Sequence, residues 1–205
     1  MEEVIVNNEV TVKGKVHINT IREVNSTASE FEIECSRESM ANDIISCLIK
    51  NENVSKINTQ SDIVIKGQFR SRNWRDLNGK SHTQLYVYVT EVENEDFLVG
   101  DINKIHLSGT ICKVPTIRKT PSGRVITDLC LAINRVKSRK SDYIPCIGWN
   151  KGAKKLSALK VGDKLEIFGR IQSRVYLKKI DDETTVEKTA YEVSIKSFNI
   201  ITPEE

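Results

Sequence analysis

No stretch of about 18 consecutive apolar residues occurs in the 205-residue sequence, so it contains no membrane-spanning helix. The opening MEEVIVNNEV is acidic and lacks the basic stretch and apolar core of a secretory signal, which makes the cytoplasm the expected location. Catalytic signatures are missing as well. There is no glycine-rich phosphate loop, no HExxH zinc motif and no GxSxG nucleophile elbow. Five cysteines occur (Cys35, Cys47, Cys112, Cys130 and Cys146), an odd number, and no pair has the two-residue spacing of a metal or redox site. Each lies in or beside an apolar stretch and is expected as a reduced core residue. His17, His82 and His106 are far apart and read as surface or edge-strand residues. Asp142, Asp163 and the acidic residues 181–183 share no metal-binding spacing. A binding protein without cofactor, metal or enzymatic activity is therefore expected.

What is present describes a globular protein with a real core: 39% of residues are hydrophobic and 29% charged. The net charge of +3 conceals an uneven distribution. Residues 1–100 hold 11 Lys and Arg against 16 Asp and Glu, whereas residues 101–205 hold 20 against 12. A basic second half points to a polyanionic partner handled mainly there.

The chain also repeats itself once. Asn8-Glu-Val-Thr-Val-Lys-Gly14 returns as Asn103-Lys-Ile-His-Leu-Ser-Gly109, and Phe31-Glu-Ile-Glu-Cys-Ser-Arg37 as Leu129-Cys-Leu-Ala-Ile-Asn-Arg135. Asp43 and Cys47 fall in step with Asp142 and Cys146. Gly67-Gln-Phe-Arg-Ser-Arg-Asn-Trp74 is echoed by Gly169-Arg-Ile-Gln-Ser-Arg-Val-Tyr176, and the segment 83–92 by 189–198. Within each copy the pattern has the period of strands: Leu85, Val87 and Val89 on one face, Tyr86, Tyr88 and Thr90 on the other. One helical stretch per copy is expected before the fourth strand, near residues 51–57 and 151–159, with a strand over 164–174. About five strands with one helix between the third and fourth describe a small Greek-key barrel of the oligonucleotide/oligosaccharide-binding (OB) type. The expected class is all-β, with two tandem five-stranded OB-fold barrels over residues 1–98 and 101–205, joined by an acidic linker at 91–96 and Gly100.

The second copy resembles the bacterial single-stranded DNA-binding protein family. The resemblance is carried by the opening strand 101–109, by Pro115, Arg118, Thr120, Pro121, Ser122 and Gly123, and by Leu131-Ala-Ile-Asn-Arg135. Asp142-Tyr-Ile-Pro145, Trp149 with Lys151, Gly162-Asp163 and the segment 169–176 continue it in order. It extends to residues 8–98 through the repeat. Two departures stand out: Leu129 replaces a usual phenylalanine, and the acidic, aromatic tail tip by which the family recruits replication and repair proteins is not present at Ile201-Thr-Pro-Glu-Glu205. The resemblance therefore does not extend to recruitment of such partners.

The resemblance implies sequence-independent binding of single-stranded DNA in replication, recombination or repair. Bases would stack on rings beside a basic groove that tracks phosphates. The family's aromatic positions are occupied by Tyr143, Trp149 and Tyr176 in the second copy. In the first copy they read Ile44, Lys50 and Trp74, which marks a weakened domain. Phosphate contacts are expected from Arg70 and Arg72 beside Trp74, from Arg118 and Lys119 on the first hairpin, and from Arg135, Lys137 and Arg139 around a basic loop. Lys151, Arg170, Arg174 and Lys178 complete the set. Tyr86 and Tyr88 either extend the stacking surface or, as expected here, form a protein interface, since a homodimer of two-barrel chains reaches the family's four OB folds per particle. The alternative is a primosome-type OB-fold loading protein that binds replication proteins and has weak DNA affinity.

Overall fold

The computed structural model describes residues 7–37, 41–77, 79–94, 102–136, 138–179 and 184–202. The alternating segments of the first copy form β1 (Asn8–Asn25), β2 (Ala28–Ser36), β3 (Asn42–Lys50), β4 (Ile63–Arg75) and β5 (Ser81–Glu93). They pair in the ring β1-β2-β3-β5-β4, which closes on β1. Closure removes the free sheet edges that a five-stranded sheet would otherwise expose. The second copy forms β6 (Ile102–Ile111), β7 (Thr116–Lys119), β8 (Val125–Asn134), β9 (Ser141–Trp149), β10 (Lys164–Lys179) and β11 (Thr185–Ile201). Its ring is β6-β8-β9-β11-β10, with β7 added beside β8 as a hairpin arm. This is the tandem OB architecture expected from the repeat.

Along the strands that close each barrel, alternate residues point inward. Val10, Val12, Phe31, Ile33, Ile45 and Phe69 fill the first barrel, and Leu107, Leu131, Ile144, Ile167 and Val193 the second. The glycines of the 67–74 echo have a steric cause. A Cβ on Gly67 would come within 2.1 Å of the Tyr88 carbonyl oxygen, and one on Gly169 within 2.3 Å of that of Ser194. Both sit at a register shift where the fourth and fifth strands of the barrel bend.

Two local expectations are modified. The helix of the second copy is present as α1 (Asn150–Leu156), anchored by Ala153 and Leu156, but its counterpart is a 3-10 segment over Asn51–Lys56 with no buried residue. Without an apolar anchor, the short segment has no packing reason to extend into an α-helix. Glu91 and Glu93, read as linker, belong to β5, where both face Lys66 across the strand pair. The expected boundary between 98 and 101 lies outside the described residues.

The barrels are joined by main chain. β1 pairs antiparallel with β6 from Asn8↔Leu107 to Lys13↔Ile102, so one eleven-stranded sheet runs through both. The equivalent residues Val10 and Ile105 face one another, which places the pseudo-twofold axis between them. A reciprocal pair of polar locks flanks this axis. Buried Asp142 of β9 accepts from the Ser71 backbone N–H of β4 at 2.7 Å, while Arg135 donates to Asp142 at 2.6 and 2.9 Å and to the Ser71 carbonyl at 3.2 Å. Its mirror is Asp43, which accepts from the Ser173 backbone N–H at 2.6 Å and is held by Arg37, itself bonded to the Ser173 carbonyl at 3.0 Å. Ser71 and Ser173 hydroxyls accept from the Tyr143 and Ile44 N–H groups, both at 2.9 Å. Both aspartates are 1% exposed, and each carboxylate is matched by a guanidinium and a backbone donor.

Candidate nucleic-acid interface

The candidate trough is the outward face of β8-β9-β11-β10 on the second barrel. Cross-strand register places Asp128, Cys130 and Ala132 of β8 beside Ile147, Pro145 and Tyr143 of β9. Glu192 and Ser194 of β11 lie beside Gln172 and Arg170 of β10. Tyr143 is 46% exposed at one end of β9, and Trp149 is half-buried at the other. The indole N–H of Trp149 donates to the Ser194 hydroxyl at 3.0 Å, which fixes the ring at the rim. Tyr176 is half-buried farther along β10, with the Arg174 guanidinium 5.7 Å from its ring centre. All three rings therefore reach the surface from rigid strands, as base stacking requires.

The predicted cations divide into groups. Arg118 and Lys119 on β7, Arg139 in the loop after β8, Lys151 on α1 and Arg174 on β10 are exposed, and Lys178 is half-exposed. Arg118 bridges to Asp128, leaving that pair with no net charge. The β8–β9 loop is closed at its base by the Arg135 N–H bond to the Lys140 carbonyl at 3.0 Å. Lys137 lies outside the described residues. Arg135 sits in the junction with its guanidinium taken by Asp142, and Arg170 is likewise bonded to Asp43 at 2.8 Å.

On the first barrel the equivalent face is different in kind. Trp74 is 44% exposed near the end of β4, with one face covered by His82 at 5.3 Å, and Asp76 steadies His82 at 2.7 Å. Arg72 is exposed nearby, whereas Arg70 lies over the Tyr88 ring at 4.0 Å. Tyr86 is half-buried opposite Arg70 in the β4–β5 register, and Tyr88 lies beneath the Arg70 guanidinium. β2 presents Glu30, Glu32 and Glu34 where β8 has Asp128, Cys130 and Ala132. Arg22 pairs with Glu30, and the remaining carboxylates of Glu32 and Glu34 oppose a phosphate backbone, which gives the acidic first half a physical location.

Ser194 and Glu192, on the outward face of β11, are neither aromatic nor cationic and so carry no sequence signal of a strand-binding site. Burial raises the Glu192 carboxyl above its ordinary range; Arg174 pulls the other way and Asp128 adds to the rise. A carboxylate inside the trough repels phosphate when ionised and stops doing so once protonated. Binding to a polyanion should therefore strengthen as pH falls through the raised Glu192 value. Glu192→Gln should tighten binding at neutral pH about fourfold, the weight of one charge near 0.15 M salt, and flatten that pH dependence. Anisotropy titrations at pH 5.5 and 7.5 measure both effects.

The remaining titratable groups have structural explanations. Cys35, Cys47 and Cys146 are buried, and burial pushes the Cys47 and Cys146 thiols up. Cys112, just past the end of β6, and Cys130 of β8 are half-exposed neighbours; burial and the neighbouring thiol raise Cys130 to about 12. All five are free thiols. Each histidine has a carboxylate partner: Glu34 for His17, Asp76 for His82 and Glu166 for His106. No group of three metal-ligating side chains occurs among the described residues, and no helix among them is long and apolar enough to cross a membrane.

Two closed Greek-key barrels with an aromatic and basic outer face define a tandem OB-fold protein. Residues 102–201, the second barrel, match the model of the single-strand binding protein family. Relatives include single-stranded DNA-binding protein 2 of Listeria innocua, 36% identical over 81 residues, covering 37% of this chain and 51% of that protein. Single-stranded DNA-binding protein A of Bacillus subtilis is 33% identical over 81 residues, covering 37% and 47%. The chain thus spans about half the length of the curated relatives it matches. The wild-type single-stranded DNA binding protein from Thermus aquaticus has the same tandem fold, with a TM-score of 0.71 at 18% identity, covering 97% of this chain and 94% of that one.

Proposed function

We propose that the protein binds single-stranded DNA without sequence preference and without catalysis, serving replication, recombination or repair. The observation that carries this reading is the presence of three surface rings, Tyr143, Trp149 and Tyr176, on neighbouring strands of one barrel, with Arg174 beside Tyr176 and with exposed Lys119, Arg139 and Lys151 on the hairpin, loop and helix that adjoin β8 and β9. Each base offers a flat face whatever its identity, so stacking tolerates any sequence, while the cations track phosphates. The second barrel is the main binding domain and the first a weaker one, in keeping with its three β2 glutamates. A primosome-type loading role is less well supported, because it leaves the exposed rings of the trough unused.

The competition of unlabelled strands against a labelled oligo-dT tests the proposal. Oligo-dT should compete strongly, and duplex DNA of equal length poorly, because paired bases cannot lie on the rings. Effective competition by duplex would refute the stacking mechanism. As assembly state we propose a homodimer presenting four OB folds, in the cytoplasm with the nucleoid. A single-chain mass by light scattering at micromolar concentration would refute the dimer.

A further inference from the structure

Between the barrels, where β2 and β3 approach β6, β10 and β11, lies a groove of about 560 Å³. Arg37, Lys104, Arg170 and Lys196 line it, with Asp43 as the acidic residue at its floor. Asp43 is buried and holds both arginines, so that trio carries one net positive charge. Lys104 and Lys196 are exposed and form no ion pair among the described residues. The groove is therefore strongly cationic at its mouth.

Its mirror image across the pseudo-twofold axis is not. The repeat equates Lys104 with Glu9, Arg170 with Gln68 and Lys196 with Thr90. At these three positions one side of the axis carries three cations and the other carries none. The basic groove is also continuous with the trough, because Ser194 both lines it and holds the indole N–H of Trp149.

We propose that this groove carries the sugar-phosphate backbone of a single strand as it passes from the second barrel towards the first, and that the strand crosses on this side of the axis only. The inference rests on the single-strand binding proposed above. It assigns Lys104 and Lys196 a role as phosphate contacts, and it explains how a first barrel with an acidic β2 and one exposed tryptophan adds length to the bound strand.

The test compares anisotropy titrations with oligo-dT of about 10 nucleotides, within the range of one OB fold, and of about 32, enough for two. Two double variants change the net charge equally. Lys104→Gln with Lys196→Gln empties the basic groove, and Gln68→Glu with Thr90→Glu alters its mirror. The first should weaken the long strand about tenfold near 0.15 M salt, lower its salt slope by about 1.4, and leave the short strand unchanged. The second should change the long strand less than twofold. Equal losses from the two variants would show an effect of overall charge and overturn the proposal. So would no loss on the long strand, or the same loss on both lengths. If the unmodified protein binds neither oligonucleotide, the single-strand function itself fails and the groove falls with it; binding of both with no effect of the lysines removes the groove alone.

Discussion

Replacing Trp149 by alanine is expected to weaken oligo-dT binding about 30-fold, or about 2 kcal/mol, within the range of about 1–3 kcal/mol for one stacked base. The indole is at the trough rim, held by Ser194 at 3.0 Å, so it meets a base in a fixed orientation without first giving up rotamer freedom. Trp149→Phe should keep most of the affinity, since the flat face survives and only the N–H is lost. Trp74→Ala should cost less than Trp149→Ala. Trp74 has one face already covered by His82, and its barrel turns Glu32 and Glu34 towards the passing phosphates. Anisotropy titration at a single salt concentration compares all three variants, and equal losses from the two alanine substitutions would show that the first barrel is no weaker than the second.

The second large effect is on stability. Asp142→Ala removes a carboxylate that is 1% exposed and answers Arg135 and the Ser71 N–H from the other barrel. Removing one partner leaves a part-buried guanidinium and a backbone donor unmatched, a loss of about 3–5 kcal/mol. Urea unfolding should read this as an earlier transition, with the barrels separating before either melts. Asp128→Ala is the control: its partnership with Arg118 is solvent-exposed and contributes about 1 kcal/mol or less. Equal effects of the two substitutions would contradict the junction described here.

These two sites show what a sequence makes legible. The barrels were readable because apolar alternation and the ordered echoes, such as Gly67–Trp74 with Gly169–Tyr176, are local properties of the chain. Gly67 and Gly169 even marked the places where no Cβ fits. The pairing of β1 with β6 was not readable, since alternation specifies which face of a strand is buried and says nothing of which edge meets which. For the same reason Arg135 read as a phosphate contact. It follows a strand and begins a basic loop, and only the fold reveals Asp142 and Ser71 waiting for it. Arg170 read likewise, with Asp43 127 positions away in sequence. The repetition of an Arg–Asp pair in both copies, Arg37 with Asp43 and Arg135 with Asp142, was the available signal, because a feature kept in an acidic and a basic copy alike serves something they share. The 3-10 segment at Asn51–Lys56 differs from α1 through the absence of buried residues such as Ala153 and Leu156, a difference that helix periodicity in so short a stretch cannot express.

The account depends on nucleobases lying on the rings of the second barrel. With Trp74→Phe, Trp149 is the one tryptophan left of the two in the sequence, and its emission reports on that trough alone. Titration of this variant with oligo-dT should quench the emission strongly, and added salt should restore it as the strand is released. Emission that stays constant while anisotropy shows the oligonucleotide bound would place the strand elsewhere on the protein and contradict the stacking site.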